Sequence, residues 1–199
     1  NLIEKKSYFK KFEAFIPCYL IDDIDINKFK FGLEKNHFFG AKLYPSNSTT
    51  NSKKGITKIE NTFKALEVLE KTNKPLLIHG EKIRDDIDIF DREKYFIDED
   101  LSKILKRFSN LKIVLEHVSS KYGADFISES PKNIAATITL HHLLLTKKDV
   151  FNGNINPHNY CMPVVKNESD LISLRNYACS GNSKFFIGTD SAPHDLINK

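Results

Sequence analysis

Four ionisable residues stand at the ends of apolar runs, and their side chains suit metal-dependent hydrolysis. Lys42, His79, His117 and Asp190 each lie at, or one residue from, the C-terminal end of such a run. Two neutral imidazoles and an ionised aspartate are ligands that suit zinc. One histidine in such a place is more often a hydrogen-bonded structural residue. Four positions on four separate runs favour a shared site.

Lys42 is the unusual member of this set, because it falls within the apolar stretch FFGAKLYP, residues 38–45. Burying an ammonium costs several kcal/mol unless it is paired or neutral. The simpler interpretation is that Lys42 extends its amine from the strand end to water. Alternatively, the neutral amine takes up carbon dioxide and becomes a carbamate, whose two oxygens can bridge metals about 3.5 to 4 Å apart. The two histidines and the aspartate favour the carbamate.

Six apolar runs of strand length could position these residues. They are continuous rather than alternating, as buried parallel strands are, and they cover residues 15–20, 38–44, 75–79, 112–117, 134–139 and 184–190. Three amphipathic helical faces lie between them: Ile59, Phe63, Leu66 and Leu69; Leu101, Ile104, Leu105 and Phe108; and Leu171, Leu174 and Ala178. Alternating strands and helices predict an α/β fold.

The alternation fits either an open doubly wound sheet or part of a (β/α)₈ barrel. In a barrel the C-terminal strand ends converge on one mouth, so the four ionisable residues favour the barrel. Thr57 and Glu60 have the spacing of a capping box that would begin the first helix, and Gly181 would end the third. The polar segment from Ser46 to Gly55 is predicted to be a mobile loop.

Composition excludes several classes of protein. The 199 residues carry a net charge of +4 from scattered residues, with no basic stripe of the kind that binds nucleic acid. No apolar stretch approaches the roughly 18 residues of a membrane span, and no secretory signal is recognisable. Three cysteines, an odd number with no close pair, indicate a reducing compartment. We therefore expect a cytoplasmic protein without nucleic-acid or membrane partners.

Seven segments together resemble the monofunctional, bacterial-type dihydroorotases of the amidohydrolase superfamily. They occur in that family's order and are AKLYPSNSTTNS (41–52), PLLIHGE (75–81), IDIFDRE (87–93), LEHVSSK (115–121), AATITLHHL (135–143), NPHNYCMP (156–163) and GTDSAPH (188–194). The resemblance implies one metal-dependent hydrolase barrel domain over residues 1–199, incomplete at both ends, with roughly six of the eight strands.

The resemblance also implies two zinc ions per subunit and a role for each ligand. Lys42 would be the carboxylated lysine that bridges both ions, and His79 and His117 would hold the second zinc. Asp190 would bind the first zinc and transfer the proton during catalysis. Among these ligands, His79 would also contact the substrate.

Further substrate-binding residues follow from the same resemblance. His194 would bind a substrate carboxylate, Met162 would reach the substrate through its backbone, and Thr49 and Thr50 would lie on a loop that closes over it. For Met162, side-chain packing beside Pro163 is an equal alternative, and the two threonines could belong to a solvated loop. We expect three further histidines, His141, His142 and His158, to be structural.

The implied activity is the reversible closure of N-carbamoyl-L-aspartate to L-dihydroorotate in pyrimidine synthesis, by a homodimer. One departure is that the family's His-x-His motif, which supplies two ligands of the first zinc, and the arginine after it do not occur in these residues. We expect segments of a longer protein to supply them. Two alternatives remain: another cyclic-amide hydrolase such as a hydantoinase, and a metal-free homologue with a structural role.

Overall fold

The computed structural model describes residues 13–192 and is built around a six-stranded parallel sheet. The strands are β1 (Cys18–Tyr19), β2 (Ala41–Leu43), β3 (Leu76–His79), β4 (Ile113–Glu116), β5 (Ile134–Ile138) and β6 (Phe185–Ile187). They follow one another across the sheet in chain order. A doubly wound sheet reverses its strand order partway, whereas a (β/α)₈ barrel does not. The sheet therefore corresponds to six consecutive strands of a barrel, as the sequence predicted.

Strand register places the candidate site residues on one face of the sheet. Lys42 pairs with Leu77 of β3, and His79 lies two residues beyond Leu77. His79 in turn pairs with Glu116 of β4. Because side chains alternate between faces with a period of two, Lys42, His79 and Glu116 share a face.

Helices cover the opposite face. The α-helices are α1 (Ile26–Glu34), α2 (Phe63–Lys71), α3 (Arg92–Phe96), α4 (Ser102–Arg107), α5 (Lys121–Glu129), α6 (Leu140–Leu144), α7 (Lys147–Val150) and α8 (Glu168–Cys179). Short 3₁₀ turns at Ile59–Thr62 and Pro157–Asn159, and a π-helical turn at Ile97–Leu101, complete the elements. Within residues 13–192 none of the helices is long and apolar enough to cross a membrane.

The hydrophobic core lies between the sheet and these helices. Leu76 and Ile78 of β3 and Ile113 and Leu115 of β4 are at most 1% exposed and belong to one cluster with apolar residues of α1 to α5. Their neighbours along the strands, such as Leu77 and Val114, are only half-buried. The helix-covered face thus supplies the packing, and the other face presents the chemistry at the barrel interior.

The two predicted helix boundaries have different outcomes. Gly181 follows α8 with φ of +73°, so the left-handed end predicted there is confirmed. The capping box at Thr57 is wrong, because Lys58 is the N-cap of the 3₁₀ turn and no side chain caps it. Thr57 instead donates its hydroxyl to Asp22 Oδ2 at 2.6 Å and its N–H to Asp22 Oδ1 at 3.1 Å. A carboxylate from the loop after β1 replaces the local cap with a tertiary contact.

Candidate metal centre

The parallel strands bring the predicted ligands to one edge of the sheet. Lys42 lies in β2, His79 ends β3, and His117 directly follows β4. The rings of His79 and His117 meet edge to face with their centroids 4.7 Å apart, and both residues are buried. Asp190, three residues after β6, is exposed, yet its carboxylate is near enough to influence the pKa of Lys42.

Lys42 has the environment that a reactive amine requires. The residue is 9% exposed, and burial lowers the pKa of its amine from 10.5 to about 8, with the Asp190 carboxylate opposing that shift. Its Nζ contacts the Glu116 carboxylate and lies 4.5 Å from the centroid of the Tyr44 ring. A neutral amine is the form that reacts with carbon dioxide, so this setting fits carbamate formation.

His117 is held as a neutral imidazole. Burial lowers its pKa well below 6.5, and positive charge on His79 and Lys42 would lower it further. Its Nδ1 is buried and finds no hydrogen-bond partner, although buried polar atoms usually have one. The backbone at His117 has φ of +45°, a conformation that is rare outside glycine and clusters at functional sites.

His79 differs from His117 because its ring is anchored. Its Nε2 lies 2.7 Å from Oε2 of Glu81, a carboxylate with no exposed surface. A carboxylate only accepts hydrogen bonds, so a neutral ring in this contact donates from Nε2 and carries its lone pair on Nδ1.

Thr137 of β5 supports the remaining backbone around the site. Its Oγ1 accepts the N–H of His117 at 2.7 Å. On its other side, a Cβ at Gly188 would lie 2.9 Å from the Cβ of Thr137, so this close approach requires glycine. Gly188 begins the segment that leads to Asp190, whose φ is +46°. One threonine thus fixes the backbones that carry His117 and Asp190.

The donor set fits zinc only if lysine is counted as a ligand. Within residues 13–192 no three His, Cys, Asp or Glu side chains gather closely enough to hold a metal. The two histidines face the same interior as Lys42, which becomes a ligand once it is a carbamate. The unsatisfied Nδ1 of His117 and the lone pair on Nδ1 of His79 are consistent with imidazole ligands. Lys42 as its carbamate, His79 and His117 could therefore hold one zinc ion together.

The predicted substrate-binding residues Thr49, Thr50 and Met162 are not joined to the metal ligands by any hydrogen bond among the described residues. Ser52 Oγ accepts the N–H of Thr49 at 2.8 Å and donates to its carbonyl at 2.5 Å, while Thr50 is exposed. The segment predicted to be mobile is thus a series of hydrogen-bonded turns. Met162 is half-buried beside Pro163, and His194 lies outside the described residues.

The three histidines predicted to be structural fall into different environments. His142 is buried, with Nδ1 2.6 Å from Thr139 Oγ1 and Nε2 2.9 Å from the carbonyl of Pro163, so its structural role is confirmed. The pKa of His142 is lowered to about 3, mainly because the ring is buried. His141 is half-buried, and its Nε2 has no hydrogen-bond partner. His158 is exposed on the 3₁₀ turn, and its structural role stays a prediction.

Two carboxylates of the site were not singled out from the sequence. Glu81 follows His79 by two residues in the segment HGE, and this spacing was an available signal. Glu116 precedes His117 directly, but only the register of β4 against β3 brings it to Lys42. That register cannot be read from the residues.

A cavity of about 470 Å³ opens behind the turn that follows β2. Its walls include Lys82 and Asp100, joined at 2.8 Å, and Lys103 and Glu60, joined at 2.7 Å. Its lining does not include the predicted metal ligands. Because these charges are already paired, the cavity gives no sign of a ligand.

No family model matches the chain. The chain is 45% identical to a protein named dihydroorotase from Pseudomonas putida over 184 residues, which are 92% of this chain and 53% of the relative. The chain thus spans about half the length of the curated relatives that it matches.

Solved structures give the same result. The crystal structure of dihydroorotase from Campylobacter jejuni matches with a TM-score of 0.81 and 37% identity, over 90% of this chain and 52% of that one. Dihydroorotase from Saccharomyces cerevisiae, in complex with 5-fluoroorotic acid, matches with a TM-score of 0.84 and 34% identity. The match covers 92% of this chain and 54% of that one. A D-hydantoinase shares the fold at 18% identity with a TM-score of 0.65. Over the part of the fold that it spans, the chain is therefore similar to dihydroorotases in both sequence and structure.

Proposed function

We propose that the protein is a zinc-dependent dihydroorotase, which interconverts L-dihydroorotate and N-carbamoyl-L-aspartate in pyrimidine biosynthesis. The observation that carries this proposal is the meeting of Lys42, His79 and His117 at one strand-end edge. A buried lysine with a lowered pKa beside two buried imidazoles is uncommon in a purely structural setting. Similarity to named dihydroorotases over 92% of the chain supports the same conclusion.

The protein's own residues would divide the work as follows. Lys42, as its carbamate, His79 and His117 would hold one zinc, and Lys42 and Asp190 would contribute to a second. When bound, the zinc pair would supply Lewis-acid polarisation of the amide carbonyl and an activated water. Asp190 would accept a proton from the attacking water and deliver it to the leaving ring nitrogen.

The substrate would be recognised by residues around this centre. His194 would donate to the carboxylate that distinguishes dihydroorotate from uncharged cyclic amides. Met162 would contact the substrate through its backbone, and Thr49 and Thr50 would close over it, excluding water from the reaction. The turn containing Thr49 adjoins β2, the strand that carries Lys42.

The test is a comparison of substrates with the intact, zinc-loaded protein. We expect ring opening of L-dihydroorotate to exceed that of dihydrouracil and hydantoin, which lack the carboxylate. A preference for either uncharged ring would overturn the assignment in favour of a hydantoinase-like enzyme. A protein that binds no zinc and turns over none of the three would be a structural homologue.

We further propose a cytoplasmic homodimer. The odd number of cysteines supports the compartment, and the resemblance to dihydroorotases supports the dimer. Light scattering of the purified protein would distinguish a dimer from a monomer, and fractionation of cells would test the location.

A further inference from the structure

We propose that Glu81 is a positioning residue that fixes the ring of His79 so that Nδ1 is the nitrogen presented to the metal. This inference rests on the proposed zinc centre and adds to it a residue and a ligating atom.

The contact between the two side chains is short and fully enclosed. Glu81 Oε2 lies 2.7 Å from His79 Nε2, and the residues are 0% and 1% exposed. No other ion pair or hydrogen bond of the Glu81 side chain occurs within residues 13–192, and its Oε1 is buried without a partner. The carboxylate is therefore committed to this one ring.

The backbone keeps the carboxylate in place. The N–H of Glu81 donates to the carbonyl of His79 at 3.2 Å, which closes a tight turn over Gly80. A Cβ at Gly80 would lie 2.4 Å from Cδ1 of Leu115 in β4, so the turn packs against the neighbouring strand. The carboxylate of Glu81 thus reaches the Nε2 edge of the ring of a residue only two positions earlier.

The chemistry of the pair determines which nitrogen can bind a metal. A neutral imidazole has one N–H and one lone pair, and the carboxylate requires the N–H at Nε2. The lone pair on Nδ1 is then directed away from Glu81. Hydrogen bonding of this kind orients a metal-bound histidine and raises its basicity.

The test measures zinc affinity of the intact protein by competition with a chelator, together with the absorption spectrum after cobalt substitution. Glu81→Ala should weaken one of the two zinc sites by about 10- to 100-fold. Glu81→Gln should weaken it less, because its amide oxygen can still accept the Nε2–H. Both variants should change the cobalt spectrum, because it reports the ligand geometry at the metal. A loss of packing elsewhere in the protein would not change that spectrum.

Glu93→Gln is the matched control. Glu93 is equally a buried carboxylate, but it accepts hydrogen bonds from Ser119 and Ser120 and contacts neither histidine ligand. It should lose stability while keeping wild-type zinc affinity and cobalt spectrum.

Two outcomes would overturn the inference. One is zinc affinity in Glu81→Ala within about twofold of wild type. The other outcome applies if Glu81→Ala does not fold. In that case, a cobalt spectrum and a zinc affinity of Glu81→Gln that both equal those of the wild type would overturn the inference. Absence of zinc from the wild-type protein would instead overturn the proposed function, so the two failures are distinguishable.

Discussion

Two groups of buried histidines lie at the same edge of the sheet, and their ring nitrogens have different partners. His142, after β5, has both nitrogens within hydrogen-bond distance of protein oxygens, from Thr139 and Pro163. His79 has one nitrogen anchored by Glu81, and the buried Nδ1 of His117 has no partner. Burial alone therefore does not separate structural histidines from candidate ligands. Among these three residues the difference lies in the hydrogen-bond partners of the ring nitrogens.

The largest expected effect comes from removing Lys42, the proposed shared ligand of the two metals. Lys42→Ala should abolish turnover and lower zinc content, since both ions would lose a shared ligand. Short carboxylic acids added in excess should partly restore activity by filling the space of the carbamate. Metal analysis and a turnover assay provide the check, and near-normal values for both would refute the carbamate.

A smaller but still large effect is expected at Asp190. Asp190→Asn should reduce kcat by about 10² to 10⁴-fold, because an amide cannot transfer the proton. The zinc bound by His79 and His117 should remain. Turnover within about tenfold of wild type would remove Asp190 from proton transfer.

Substrate recognition should respond next. His194→Ala would remove a charge-assisted hydrogen bond worth about 1.5 to 3 kcal/mol, so kcat/KM for dihydroorotate should fall about 10- to 100-fold. Zinc content should not change. Equal kcat/KM in variant and wild type would assign carboxylate recognition to another residue.

Substitution of His142 should lower the free energy of unfolding and leave zinc binding and turnover unchanged. His142→Ala would leave the carbonyl of Pro163 and the hydroxyl of Thr139 without partners, at a cost of about 1 to 3 kcal/mol. Denaturant unfolding should detect this loss, while zinc content stays at the wild-type value. Zinc loss from a folded His142→Ala protein would erase the distinction between the two groups.

The smallest effect concerns pH in the metal-free protein. The pKa of Lys42 is about 8 when folded and 10.5 ordinarily, so between these values the unfolded chain binds more protons. The free energy of unfolding should therefore gain a contribution that rises with pH across that interval. Lys42→Met is the control, since it lacks the titrating amine. Identical pH profiles for the two metal-free proteins would contradict the lowered pKa.

The sequence predicted the positions of the six strands, because continuous apolar runs mark the segments that form the sheet, although each observed strand is shorter than its run. Lys42, His79 and His117 could be placed at one edge since parallel strand ends converge. Register was not predictable, and so the contact of Glu116 with Lys42 was missed. Similarly, the expected cap at Thr57 failed because Asp22, distant in sequence, competes for its hydroxyl.

The most direct test of the central claim is the zinc content per chain of His117→Ala compared with that of His142→Ala. Both variants remove one buried imidazole from neighbouring strand ends, so they match in size and burial. We expect His117→Ala to lose zinc from the site it shares with His79 while remaining folded, and His142→Ala to keep the wild-type zinc content. Equal zinc content in the two variants would contradict the assignment of His117 as a ligand.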